Sequence, residues 1–109
     1  MTGRARHVRE PGDDRSAGIG VRAEPTGPSG WVCTVTVAGP RGRRRHLVRV
    51  SPGERARYGP HTSVEELVRR SVEFLLAREA PSAILATFDL GAIQRYFPEY
   101  EAEIRGPVE

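Results

Sequence analysis

The sequence predicts a small α+β fold: an N-terminal β-hairpin followed by two or three helices, with a disordered arm ahead of the hairpin. Three observations predict it. Residues 31–38 alternate in character and are rich in β-branched side chains, and residues 63–79 place apolar side chains at helical spacing. Residues 1–29 hold few large apolar side chains at all. At 109 residues the chain has the size of one domain. It divides into an arm over 1–29, a single α+β domain over 30–105 and a tail over 106–109.

In the arm, Val8, Ile19 and Val21 are scattered among Gly, Pro, Asp and Arg, too few to offset the entropy of ordering the chain. A short extended piece at Ile19–Arg22 is the exception, able to pair with a sheet edge. Trp31–Ala38 is the clearest strand, with Trp31, Cys33, Val35 and Val37 on one face and Val32, Thr34 and Thr36 on the other. Gly39-Pro40-Arg41-Gly42 is turn chemistry, and His46–Val50 makes the returning strand, which Ser51-Pro52-Gly53 ends.

Glu54–Tyr58 is expected to form one helical turn, since Pro52 suits a first-turn position and Gly59-Pro60 stops it. Ser63-Val64-Glu65-Glu66 matches the capping box, in which Ser63 and Glu66 each satisfy the other's backbone NH. The helix it opens should run to about Glu79. Its inner face is Val64, Leu67, Val68, Ser71, Val72, Leu75 and Leu76, and Glu65–Arg69 and Glu66–Arg70 pair on the outer face. After Pro81, the cluster Ile84, Leu85 and Phe88 precedes Asp89, which can cap a further helix carrying Leu90, Ile93 and Phe97, and Tyr100 and Ile104 suggest a last turn.

All 17 positive charges are arginines, which points to a GC-rich coding bias in a bacterial genome. Their placement is uneven. Residues 1–62 carry 12 Arg against 5 acids, a balance of +7, and residues 63–109 carry 5 Arg against 9 acids, a balance of −4. Cys33 is the single cysteine, so no internal disulfide or CxxC site exists and a cytoplasmic location is the natural expectation. No apolar run approaches the ~18 residues of a membrane span, and no apolar stretch follows the N-terminal arginines as a signal peptide would require, so no membrane partner is expected.

Two groups of residues are candidate sites. Arg41, Arg43, Arg44 and Arg45 crowd the expected hairpin tip, where guanidinium groups could hold nucleic-acid phosphates. Four of the seven aromatic residues, Phe88, Tyr96, Phe97 and Tyr100, fall near the C-terminus beside Ile93. These five either fold back as core or form a protein-binding or dimer surface. A thin core in so small a domain also favours a homodimer.

Catalytic and metal constellations are not expected, and neither is a cofactor. His7, His46 and His61 have no zinc-ligand spacing, and Cys33 sits mid-strand as a small hydrophobe. Glu65, Glu66, Glu73 and Glu79 read as helix support, and Gly18-Ile19-Gly20 is no phosphate loop.

Glu66–Glu79, with Ile84-Leu85-Ala86-Thr87-Phe88-Asp89-Leu90 and Tyr96-Phe97-Pro98-Glu99-Tyr100, resembles the C-terminal part of an uncharacterised family of short prokaryotic proteins. That resemblance covers about the last half of the chain and implies no activity. The strand–strand–helix order is also similar to small antitoxin-type regulators, in architecture alone. The expectation is therefore a non-enzymatic protein–protein interaction or adaptor module that self-associates. Its rival is a nucleic-acid-binding regulator using the arginine hairpin, and a small enzyme subunit stands further off.

Overall fold

The computed structural model describes residues 18–40 and 42–106. The first 17 residues of the expected arm, Arg41, and residues 107–109 of the tail lie outside them. Three strands come first: β1 (Ile19–Pro25), β2 (Trp31–Gly39) and β3 (Gly42–Val50). Helices α1 (Pro52–Tyr58) and α2 (Val64–Leu76) follow, then a three-residue strand β4 (Thr87–Asp89) and two short helices, α3 (Ala92–Tyr96) and α4 (Tyr100–Arg105). This is an α+β fold with one four-stranded sheet in the order β1-β2-β3-β4.

The hairpin forms where the alternation placed it, with Cys33 opposite Val48 and Val35 opposite His46. It is longer than expected. Gly42, with φ at 112°, supplies the turn conformation that a side chain would resist, and Arg43, Arg44 and Arg45 are strand residues opposite Ala38, Val37 and Thr36. Arg43, Arg44 and Arg45 therefore lie along the strand rather than at its tip, and Arg41 lies outside the described residues.

The boundary of the arm needs correction. The extended piece expected at Ile19–Arg22 does pair with the sheet edge, but it is longer and ordered to residue 25: β1 pairs with β2 from Ile19–Val37 to Pro25–Trp31. The low apolar content misled because an edge strand with one face in solvent needs an apolar residue only at every second position, here Ile19, Val21 and Ala23. A 3-10 turn at Gly27–Ser29 reverses the chain, and Gly30, at φ 109°, lies so close to β3 that a Cβ would overlap the Val50 carbonyl oxygen.

β4 is the other unexpected element. It pairs parallel to β3, with Val48 opposite Phe88, after a crossover through α1 and α2. Residues read as a helix approach thus become an extended segment. Asp89 lies in that strand and caps nothing; α3 begins at Gly91 without a side-chain cap.

One face of the sheet meets the helices. Cys33, Val35, Val37, Val48 and Val50 are buried there against Leu67, Val68, Val72 and Leu75 of α2. Ile84, Phe88, Leu90, Ile93, Tyr100 and Ile104 close the core from the C-terminal side. No helix among the described residues is long and apolar enough to cross a membrane.

The helix caps differ from expectation in an informative way. At Ser63 only half a capping box forms: Ser63 Oγ accepts from the Glu66 NH at 3.0 Å, while the Glu66 carboxylate instead binds Arg69 at 2.7 Å. Arg70 donates to the Ile104 carbonyl at 2.8 Å, one of the acceptors a helix C-terminus leaves open. Neither expected i,i+4 pair is present. The complete box belongs to α1, where Ser51 and Glu54 exchange bonds of 3.0 and 2.9 Å. α2 itself stops at Leu76, three residues short of Glu79.

Candidate functional site

The two sequence-derived groups come to different ends. Of the aromatic-rich set, Tyr100 is fully buried: its hydroxyl lies 2.6 Å from Ser71 Oγ, which in turn donates to the Leu67 carbonyl at 2.8 Å. Tyr100 must therefore be the donor to Ser71, and burial pushes its phenol well above the usual range. Its ring packs on Tyr58 and Phe74 at centroid distances of 4.9 and 5.2 Å. Phe88 and Ile93 are core residues as well. Of the five expected interface residues, Tyr100 offers a partner no surface, and Phe88 and Ile93 offer a floor at most.

The remaining two, Tyr96 and Phe97, border an apolar groove of about 200 Å³. It is lined by Leu75 near the end of α2, by Glu79 in the segment after it, and by Ile84, Leu85, Phe88 and Ile93. Tyr96 is 68% exposed and Leu85 56%, the two most exposed large hydrophobic residues among those described. Both stand at this one groove.

Leu85 is held outward by its backbone. His46, buried at 4% exposure, places Nδ1 2.7 Å from the Leu85 carbonyl oxygen, and since a carbonyl only accepts, the proton sits on Nδ1. The Leu47 NH adds a bond to the Ala86 carbonyl at 2.8 Å. His46 Nε2 is left buried without a partner, so this histidine serves as a peg. Phe97 is fixed from behind by an edge contact with Phe74 at 5.8 Å, and Arg78 covers Phe74 at 3.6 Å while pairing with Glu99 at 3.1 Å. Leu85 and Glu79 were absent from the sequence-derived set. Reading residues 84–88 as extended would have sent Ile84 and Phe88 inward and Leu85 out.

The arginine set defines a second surface. The sheet face turned from the helices carries Arg22 on β1, Thr34 and Thr36 on β2, Arg43, Arg45, Leu47 and Arg49 on β3, and Asp89 on β4. Arg49 is neutralised by Asp89 at 2.6 Å, and Arg22 lies 3.6 Å from Glu24. Arg43, Arg44 and Arg45 are exposed and have no side-chain partner among the described residues. Arg44 points to the opposite face, beside Val37, Pro81 and Ser82.

The other candidates stay apart. Cys33 is wholly buried, and desolvation pushes its thiol up to about 11, which leaves it protonated and inert. His61 is exposed and distant in sequence from His46, and His7 lies outside the described residues. No group of three His, Cys, Asp or Glu side chains among the described residues is placed to hold a metal ion. No family model, no curated protein and no solved structure matches the chain.

Proposed function

We propose that the protein is a non-enzymatic interaction module whose helical side pairs with a second copy of the same chain through the groove between Leu85 and Tyr96. One observation carries the reading: two protruding apolar side chains and the apolar hollow that would receive them occupy the same patch. A two-fold interface is self-complementary, so it needs knob and hole on one surface. The charges agree. Glu79 at the rim and Arg95 beside Tyr96 both lack side-chain partners among the described residues, and a two-fold axis would bring unlike charges together. The reading belongs in the cytoplasm, where a lone thiol such as Cys33 remains reduced.

Light scattering and sedimentation on the full chain test it. The expected mass is twice that of the chain, falling to a monomer with Leu85→Glu or Tyr96→Asp while the melt stays cooperative. Glu79→Arg should weaken the dimer at least tenfold, and adding Arg95→Glu should restore it. A monomer at high micromolar concentration, or a dimer indifferent to Leu85→Glu and Tyr96→Asp, overturns the proposal.

A further inference from the structure

The three consecutive arginines of β3 form a site that the dimer does not use. The described residues include twelve arginines, and most have a fixed acceptor: five meet a carboxylate and three donate to a backbone carbonyl. Arg43, Arg44, Arg45 and Arg95 are left over. Along β3 itself the contrast is sharp, since Arg49 is matched to Asp89 whereas Arg43, Arg44 and Arg45 face the neutral Ala38, Val37 and Thr36. Three adjacent, mutually repelling cations at one end of a sheet raise the energy of the free protein unless something anionic settles there.

We infer that this end of the β2–β3 hairpin binds the phosphodiester backbone of duplex DNA. Arg43 and Arg45 project from one face about 6.8 Å apart, the two-residue repeat of a strand, and Arg44 projects from the other. The ribbon can thus reach phosphates on both of its sides. Duplex is favoured over single strand because the open sheet face carries no aromatic side chain on which bases could stack. DNA is favoured over RNA because the end of the hairpin at Ala38 and Arg43, which projects past the last β1 pair at Ile19 and Val37, can enter the ~12 Å major groove of B-form DNA, while the A-form major groove is too narrow to admit it. Arg43, Arg44 and Arg45 have no neighbouring side chain that fixes them to read a base edge, so the binding is independent of sequence.

The test is the salt dependence of binding to a short duplex, measured by fluorescence anisotropy between about 50 and 200 mM salt. Each phosphate held contributes about 0.9 to the slope of log K against log salt. Replacing Arg43, Arg44 and Arg45 together by Ala should lower the slope by about 2 to 3, and Arg45→Gln alone by about 1, with the melting temperature unchanged. Arg57→Ala, which removes a cation of the helical side paired with Glu101 and outside the proposed dimer groove, should leave the slope as it was. The Leu85→Glu variant separates this inference from the dimer, since each protomer keeps its own hairpin and the slope per chain should persist. A slope unaffected by the triple change, an equal loss with Arg57→Ala, or tighter binding to single-stranded DNA or duplex RNA overturns the inference.

Discussion

Glu54 uses its two carboxylate oxygens on two different elements. Oε1 accepts from the Ser51 NH at 2.9 Å and completes the capping box of α1, while Oε2 accepts from the Gly91 NH at 2.9 Å, where β4 turns into α3. Two backbone donors forty residues apart, those of Ser51 and Gly91, are satisfied by one side chain. Gly91 is small for this reason, because a Cβ there would stand 2.7 Å from Oε2. Its backbone, at φ −66°, would otherwise accept alanine readily. The two positions are therefore coupled. Glu54→Ala should cost about 1–2 kcal/mol in urea unfolding, as loss of a cap does. Gly91→Ala should destabilise the wild type but be neutral or stabilising in the Glu54→Ala background, a non-additivity of about 1 kcal/mol in a double-mutant cycle. Additive effects would show that the contact does not hold the turn. The Ser51-Pro52-Gly53-Glu54 run carries the capping pattern as plainly as Ser63–Glu66, but Gly53 and the nearby Gly59-Pro60 make it look like loop.

At the scale of elements, α4 is short and depends on charged contacts to stay in place. Arg57 meets Glu101 at 2.8 Å, Arg78 meets Glu99 at 3.1 Å, and Arg105 donates to the Arg57 carbonyl. The hydrogen bond from Arg57 holds the Glu101 carboxyl below its ordinary value, and Glu99 is lowered by its own backbone NH and then by Arg78. A carboxylate depressed in the folded state contributes stability above its unfolded pKa and loses it as pH falls through the folded value. The gap in melting temperature between wild type and Glu101→Gln should therefore be widest near neutral pH and close as the pH drops through the carboxylate range. A gap that persists in acid would mean that the pair contributes through packing rather than charge. The strands and helices were unequally legible. β2 and α2 announce themselves because burial on one face imposes period 2 on Trp31–Val37 and period 3.6 on Val64–Leu75. The edges are less legible: in β1 only the piece at Ile19–Arg22 shows, because few apolar residues mark it, and β4 is extended through a partner far off in the chain. Residues 87–89 are a strand only because β3 lies beside them. The candidate site followed the same division: composition marked Tyr96 and the arginines, but which aromatic residues face outward depended on β4.

For the molecule as a whole, the charge imbalance of the sequence has a spatial counterpart. Three of the four unpartnered arginines among the described residues stand at one end of β3, while in residues 63–109 Glu66, Asp89, Glu99 and Glu101 each meet an arginine. The closing of the sheet by β4 bears on how the chain reaches this form. β1, β2 and β3 are joined by short turns and can assemble from neighbouring residues, but Leu47 pairs with Thr87 only after forty residues and two helices have intervened. Closing so long a loop costs entropy before any contact repays it, so β4 belongs to the late side of the folding barrier. Phe88→Ala should then speed unfolding while leaving the refolding rate nearly unchanged, as followed by the fluorescence of the single Trp31 in stopped flow. Equal changes in both arms would put β4 in the folding nucleus. Until β4 docks, the free edge of β3 and the floor of the groove are both open to other chains. A nascent copy is therefore most exposed to mispairing in the interval between finishing its meander and receiving its last strand.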